Sequence, residues 1–97
     1  MNNVICDAIQ RRAVIQFYYD GGTREVEPHC HGTSTAGNEP LRGYQTAGYS
    51  KSGNSVGWKL FDVSQMRNIE RTGEIFAHNQ PQYNPNDRGM KVVHCHV

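Results

Sequence analysis

Residues 13–31, AVIQFYYDGGTREVEPHCH, hold two strand-like runs around a glycine pair. Ala13 to Asp20 is rich in β-branched and aromatic residues. Side chains alternate along a strand, so Ile15, Phe17 and Tyr19 share one face. Gly21-Gly22 supplies the positive φ angles of a two-residue hairpin turn. The return strand, from about Thr23 to His31, puts Arg24, Val26, Pro28 and Cys30 on one face. Glu25, Glu27, His29 and His31 alternate onto the other. Pro28 cannot donate to a ladder, which predicts an edge or a bend at that point.

Working outward, Val4, Ile5, Ala8 and Ile9 recur at helical spacing, with Asn2 or Asn3 as the cap and Arg11 and Arg12 where cations favour the helix dipole. So short a helix must dock to persist. After the hairpin, residues 33–40 (TSTAGNEP) are turn chemistry, Leu41 to Tyr49 reads as a third strand, and residues 50–56 (SKSGNSV) form a second polar loop. Gly57 to Val63 is a fourth strand, with Trp58 and Leu60 on one face and Lys59 and Phe61 on the other. Ser64 can cap one helical turn before the chain extends again around Ile69. Thr72 to Gly89, with Pro81, Asn84, Pro85 and Asn86, lacks periodicity and reads as a loop; Met90 to Val97 closes as a strand. One helix and about five short antiparallel strands leave too many edges for an open sheet of this size. The expectation is a mainly β, single-domain chain (1–97): a small SH3-like or Sm-like barrel with its N-terminal α-helix over one opening.

Ten Lys and Arg against nine Asp and Glu leave a net charge of +1. That balance excludes a protein that coats nucleic acid by bulk charge, so any basic site has to be local. No apolar run reaches the roughly 18 residues of a membrane helix, and Met1-Asn2-Asn3 lacks the stretches of a signal peptide. A cytoplasmic protein with no membrane partner is expected. Five Tyr, three Phe and one Trp can fill a small core; Phe17, Tyr19, Trp58 and Phe61 could form a stacking platform, but several of them are expected to be core.

Cys6, Cys30 and Cys95 are odd in number, and nothing points to secretion, so they read as reduced, small buried residues. His29-Cys30-His31 and His94-Cys95-His96 place each histidine pair on one face and each cysteine on the other. Were the two strands neighbours, four imidazoles could meet at zinc or copper. The spacing is weakly specific, and hydrogen-bonded or solvated histidines are the plainer reading; no metal ligand is assigned and no cofactor is expected. Adjacent Cys and His on a strand point apart and cannot act as nucleophile and base. Asp20, Asp62 and Asp87 show no carboxylate-pair spacing. The chain does not read as an enzyme.

Arg24, Arg42 and Lys59 lie on three expected strands among apolar and aromatic neighbours. Gathered on one rim they would form an anion pocket. Tyr44 alternates onto the face of Arg42 and would stack on a base, with His29 as a polar contact. The competing reading pairs Arg24 and Arg42 with Glu25, Glu27 or Glu39 as structural ion pairs.

The order of residues resembles the WYL domain family: ICDAIQRRAVIQFYYDGG (5–22), then Arg24-Glu25-Val26-Glu27-Pro28, Leu41-Arg42-Gly43-Tyr44-Gln45 and Gly57-Trp58-Lys59-Leu60-Phe61. The resemblance covers roughly residues 3–76; residues 77–97 carry a loop and the closing strand. Pro40-Leu41-Arg42 stands where the family has Trp-Tyr-Leu, and Gln65-Met66 where it has Arg-Ile. The resemblance implies an N-terminal helix with an Sm-like barrel, here without the helix-turn-helix that usually precedes it. It also implies a ligand-sensing module in bacterial transcriptional and phage-defence regulators, binding nucleotides or nucleic acid through basic residues. Of these only the basic position two residues before the Phe, Lys59, carries over. Two readings result. One is a sensor of a nucleotide or short single strand; the other is an interaction module that forms a homo-oligomer or binds a separate DNA-binding regulator through its edges.

Overall fold

The computed structural model describes residues 3–97. Helix α1 (Asn3–Gln10) precedes β1 (Ala13–Tyr19), β2 (Gly22–Thr33), β3 (Pro40–Gly48) and β4 (Gly57–Asp62). A single 3-10 turn (Val63–Gln65) leads into β5 (Arg67–Ile75), and β6 (Val92–His96) ends the chain. Of the four residues at helical spacing, Ile5, Ala8 and Ile9 are wholly buried, whereas Val4 is exposed. The cap expected at Asn2 or Asn3 lies outside the described side chains.

The β1–β2 turn falls one residue earlier than the glycine pair suggests. Tyr19 pairs with Gly22, so the loop is Asp20-Gly21, with φ of 41° and 105°. Two positive φ angles make the hairpin turn that matches strand twist, and Asp-Gly supplies them as well as Gly-Gly does. Gly22 is needed for a different reason: a β-carbon there would strike the Tyr49 side chain.

All strand pairs are antiparallel, in a six-stranded sheet ordered β4-β3-β2-β1-β5, with β6 added to β2. The twelve-residue β2 pairs with β1 along Gly22–Val26 and with β6 along Cys30–Thr33. The mainly β, antiparallel architecture with an N-terminal helix is as expected; the sheet is not closed, and its end strands, β4 and β5, do not pair. A 3-10 turn joins them in sequence. Asp62, not Ser64, caps it, accepting from Ser64 N at 3.1 Å and Ser64 Oγ at 2.8 Å. The turn redirects the chain, so β5 leaves the edge of β4 and crosses to β1. A sixth strand also replaces the expected five. β5 is mostly exposed, so its ladder with β1 holds it and no apolar alternation announces it.

Pro28 sits at a bulge, as its missing N–H requires. It opposes Gly43 and Cys30 opposes Arg42, which leaves His29 as the extra residue. Alternation is broken there: His29 and Cys30 both turn to the outer face of the sheet, while His31, opposite Leu41, returns to the inner one.

The core lies between α1 and the inner face, built on Ile5, Ile9, Ile15, Phe17, Val26, Leu41, Phe61 and Val63. Phe17, Tyr19 and Phe61 meet edge to face, with centroids 5.1–6.2 Å apart. Cys6 of α1 and Cys95 of β6 form a disulfide with Cα atoms 5.5 Å apart, which corrects the reduced reading. The odd count misled because the three thiols are not equivalent: the bulge turns Cys30 to the other face, where it stays free and buried. Among the described residues no helix is long and apolar enough to cross a membrane.

Candidate functional site

The three cations expected to converge lie on opposite faces of the sheet. Arg24 is on the inner face, 5 % exposed, its guanidinium 5.2–5.7 Å from the ring centroids of Tyr19, Tyr49 and Phe61. It donates Nε–H to Tyr19 O at 3.2 Å. Lys59, opposite Gly43, shares that face and donates to Asn54 O at 2.6 Å and Ser50 Oγ at 3.4 Å. No carboxylate is within ion-pair range of either among the described residues. Three aromatic faces satisfy the buried arginine instead.

Arg42 is on the outer face, paired in register with Leu60 and flanked by the Tyr44–Trp58 pair. Residues 76–91, read from sequence as a bare loop, fold across this face as a strap. Four ties hold it. Gln80 N donates to His29 Nε2 at 3.2 Å, Gln80 Nε2 donates to Glu27 Oε1 at 2.8 Å, and Trp58 Nε1 donates to Pro81 O at 2.9 Å. Arg42 donates to both oxygens of Asp87, at 2.6 and 3.1 Å. Asp87 also accepts from Gly89 N at 2.8 Å. The Arg42 hydrogen bonds hold the Asp87 carboxyl below its ordinary range, against the opposing effect of burial.

Beneath the strap is an aromatic layer. His29 is fully buried with ring centroids of Trp58 at 4.8 Å, Phe76 at 5.1 Å and Tyr83 at 5.5 Å. Its Nδ1–H meets Glu27 O at 2.8 Å while Nε2 accepts from Gln80, so neither ring nitrogen is free for a ligand. Burial lowers its pKa. The Tyr83 hydroxyl faces the Cys30 thiol; burial raises the pKa of each, and each raises further through a neighbouring acidic group, Cys30 for Tyr83 and Asp87 for Cys30. A thiol so placed is inert.

Between strap and sheet lies a cavity of about 310 Å³, lined by Arg42, Trp58, Tyr83, Asn84, Asp87 and Arg88 among others. Trp58 and Tyr83 stand at 27° with centroids 6.2 Å apart, and Tyr44 braces the indole edge-on at 5.5 Å. Arg88 is exposed and has no carboxylate partner among the described residues. This arrangement presents one clamped guanidinium, one unclamped, an amide and two flat rings to a common space.

Of the five residues expected at the site, Arg42 lines the cavity, Tyr44 braces its Trp58 wall, His29 lies buried against Trp58 and Tyr83 without lining it, and Arg24 and Lys59 are elsewhere. Of the four aromatics several of which are expected to be core, Trp58 belongs to the cavity and not to the inner cluster. Tyr83, Asp87 and Arg88 come from the segment without periodicity; the available signal was an acid next to a base just before Gly89, in a run of turn residues. No protein-family model, curated protein or solved structure matches the chain.

Proposed function

We propose that the chain is a binding module whose outer-face cavity receives a small anionic ligand with a flat ring, of the nucleotide class, or the end of a short single strand. The observation that carries this reading is Arg88, uncompensated, beside Trp58 and Tyr83 in one cavity. A guanidinium for phosphate next to rings for a base is the usual grammar of such sites. A volume near 310 Å³ stands at the small end of ligand pockets and suits one nucleotide unit better than a long strand. The WYL-like order of residues supports the same class. So does the strand order, in which a 3-10 turn joins the end strands as an SH3-like or Sm-like barrel would need. In this reading the module serves transcriptional or defence regulation in bacteria. A cytoplasmic setting for that role leaves Cys6–Cys95 exposed to reducing conditions; thiol labelling of freshly lysed cells reports whether the bond is made there.

Trp58 is the only tryptophan, so its fluorescence reports on this cavity alone. Titrating mono- and dinucleotides in low salt should give a saturable change that fades as salt rises, and Arg88→Gln should weaken it at least tenfold. A flat titration with every nucleotide in low salt removes the reading.

A second reading, self-association, rests on Ile75. It is 74 % exposed at the end of β5, whose outer edge has no partner among the described strands. Light scattering that finds a strict monomer at high concentration disposes of it.

A further inference from the structure

The two His-Cys-His triplets do meet, but through one histidine of each. β2 and β6 are neighbours, with His31 opposite Cys95, and the rings of His31 and His94 stand edge to face with centroids 5.8 Å apart. His31 is fully buried. Its Nδ1–H is given to Pro40 O at 2.9 Å, which fixes the tautomer and leaves the lone pair on Nε2. That nitrogen is buried and has no hydrogen-bond partner. An orphaned acceptor in such a place is costly and asks for an explanation. Glu39 Oε1 lies 4.0 Å from it.

We propose that His31, His94 and Glu39 form a site for one divalent transition-metal ion of the zinc class. A donated Nδ1–H to a backbone carbonyl is how ligating histidines are ordinarily held, with Nε2 presented to the metal. His94 Nε2 meets Thr33 Oγ1 at 2.7 Å; when the ring donates to that hydroxyl, which can accept as well as donate, Nδ1 holds the lone pair for the metal. The spacing agrees with the chemistry. Bonds of about 2.1 Å at a tetrahedral ion hold nitrogen and oxygen roughly 3.4 Å apart, and two imidazole centroids roughly 5.2 Å apart. Against 4.0 Å, Glu39 has to close by about half an ångström, and the ring centroids stand about as far beyond the ligating separation. The groups are not gathered at ligating distance without the ion: no cluster of three or more His, Cys, Asp and Glu is assembled for a metal among the described residues. Closure would be made by the exposed His94 and the half-exposed Glu39 moving onto a nitrogen that is already held. Three protein ligands leave the fourth position to water.

The test uses the full chain, free of any histidine tag and stripped with a chelator. Zn2+ added at micromolar concentration should bind with one equivalent per chain and raise the melting temperature. Co2+ should give the intense visible bands of a four-coordinate ion. His94→Gln, a surface change that leaves the core intact, should weaken binding at least tenfold, and Glu39→Gln should weaken it as well. His78→Gln and His96→Gln should bind as the parent does. The proposal is overturned if no ion is taken up, if His94→Gln binds unchanged, or if either control histidine proves to be the one required.

Discussion

Asp87 receives the guanidinium of Arg42 through two hydrogen bonds, 2.6 and 3.1 Å long, across 45 residues of sequence. The pair joins the strap to the sheet, and it neutralises the cation that sequence reasoning offers to a ligand. Asp87 is 6 % exposed at the side chain and Arg42 28 %, so breaking the pair strands a partly buried charge. Asp87→Asn should therefore cost about 2 kcal/mol of stability in urea denaturation. The same variant should bind nucleotides more tightly than the parent, because it releases Arg42 into the cavity. Equal or weaker binding by a folded Asp87→Asn protein would place the ligand elsewhere.

Cys6 and Cys95 are 89 residues apart in sequence, and their bond ties α1 to the last strand. A cross-link spanning nearly the whole chain removes about 4–5 kcal/mol of loop-closure entropy from the unfolded state. Reduction, or the Cys6→Ser/Cys95→Ser double variant, should lower stability by up to that amount. Cys30→Ser should leave the sensitivity to reductant as it was, since Cys30 takes no part in the bond.

How far the fold could be read depended on which residues carried a period. The β1–β2 hairpin and the helix stand out because their apolar residues alternate or recur against a single core. β5 does not, because most of its side chains face water and, Ile69 and Thr72 apart, its backbone ladder to β1 holds it. The Asp62-capped turn carries the chain from β4 to β5, yet its local sequence allows a cap at Ser64 as well. At the candidate site, Arg42 was legible as a cation on a strand. Its face was not, because the bulge at His29 and the return of the chain over the sheet depend on contacts far apart in sequence. The strap has no period of its own; it is placed by the aromatic layer beneath it.

His29 and His31 set the response to acid. Burial lowers the pKa of both, for His31 against the raising effects of its bond to Pro40 and of Glu39. The unfolded chain therefore takes up protons near pH 6.5 that the folded chain refuses. Stability from these groups is complete above about pH 6.5 and is lost as pH falls through the unfolded value toward the folded ones. Asp87 adds a loss lower down, as pH falls through and below the carboxylate range near 4, because its folded pKa is depressed. Urea midpoints measured from pH 8 to 5 should fall, and His31→Gln should flatten part of that slope. A profile level from pH 8 to 5 would contradict the neutral, buried state of both rings.

Gly43 faces the core from β3, opposite Lys59 on one side and Pro28 on the other. A β-carbon there would run into Val26 Cγ1 and stand 3.4 Å from Glu27 O and 3.9 Å from Phe61. Val26 is wholly buried between α1 and the sheet and cannot move aside without disturbing its neighbours. Gly43→Ala should therefore cost about 1–3 kcal/mol by overpacking. Val26→Ala should cost a similar amount through the cavity it leaves. Because the added methyl enters the space the valine vacates, the double variant should be more stable than the sum of the two losses by about 1 kcal/mol or more. Simple additivity in a double-mutant cycle would mean that the two strands do not approach as closely as Gly43 allows.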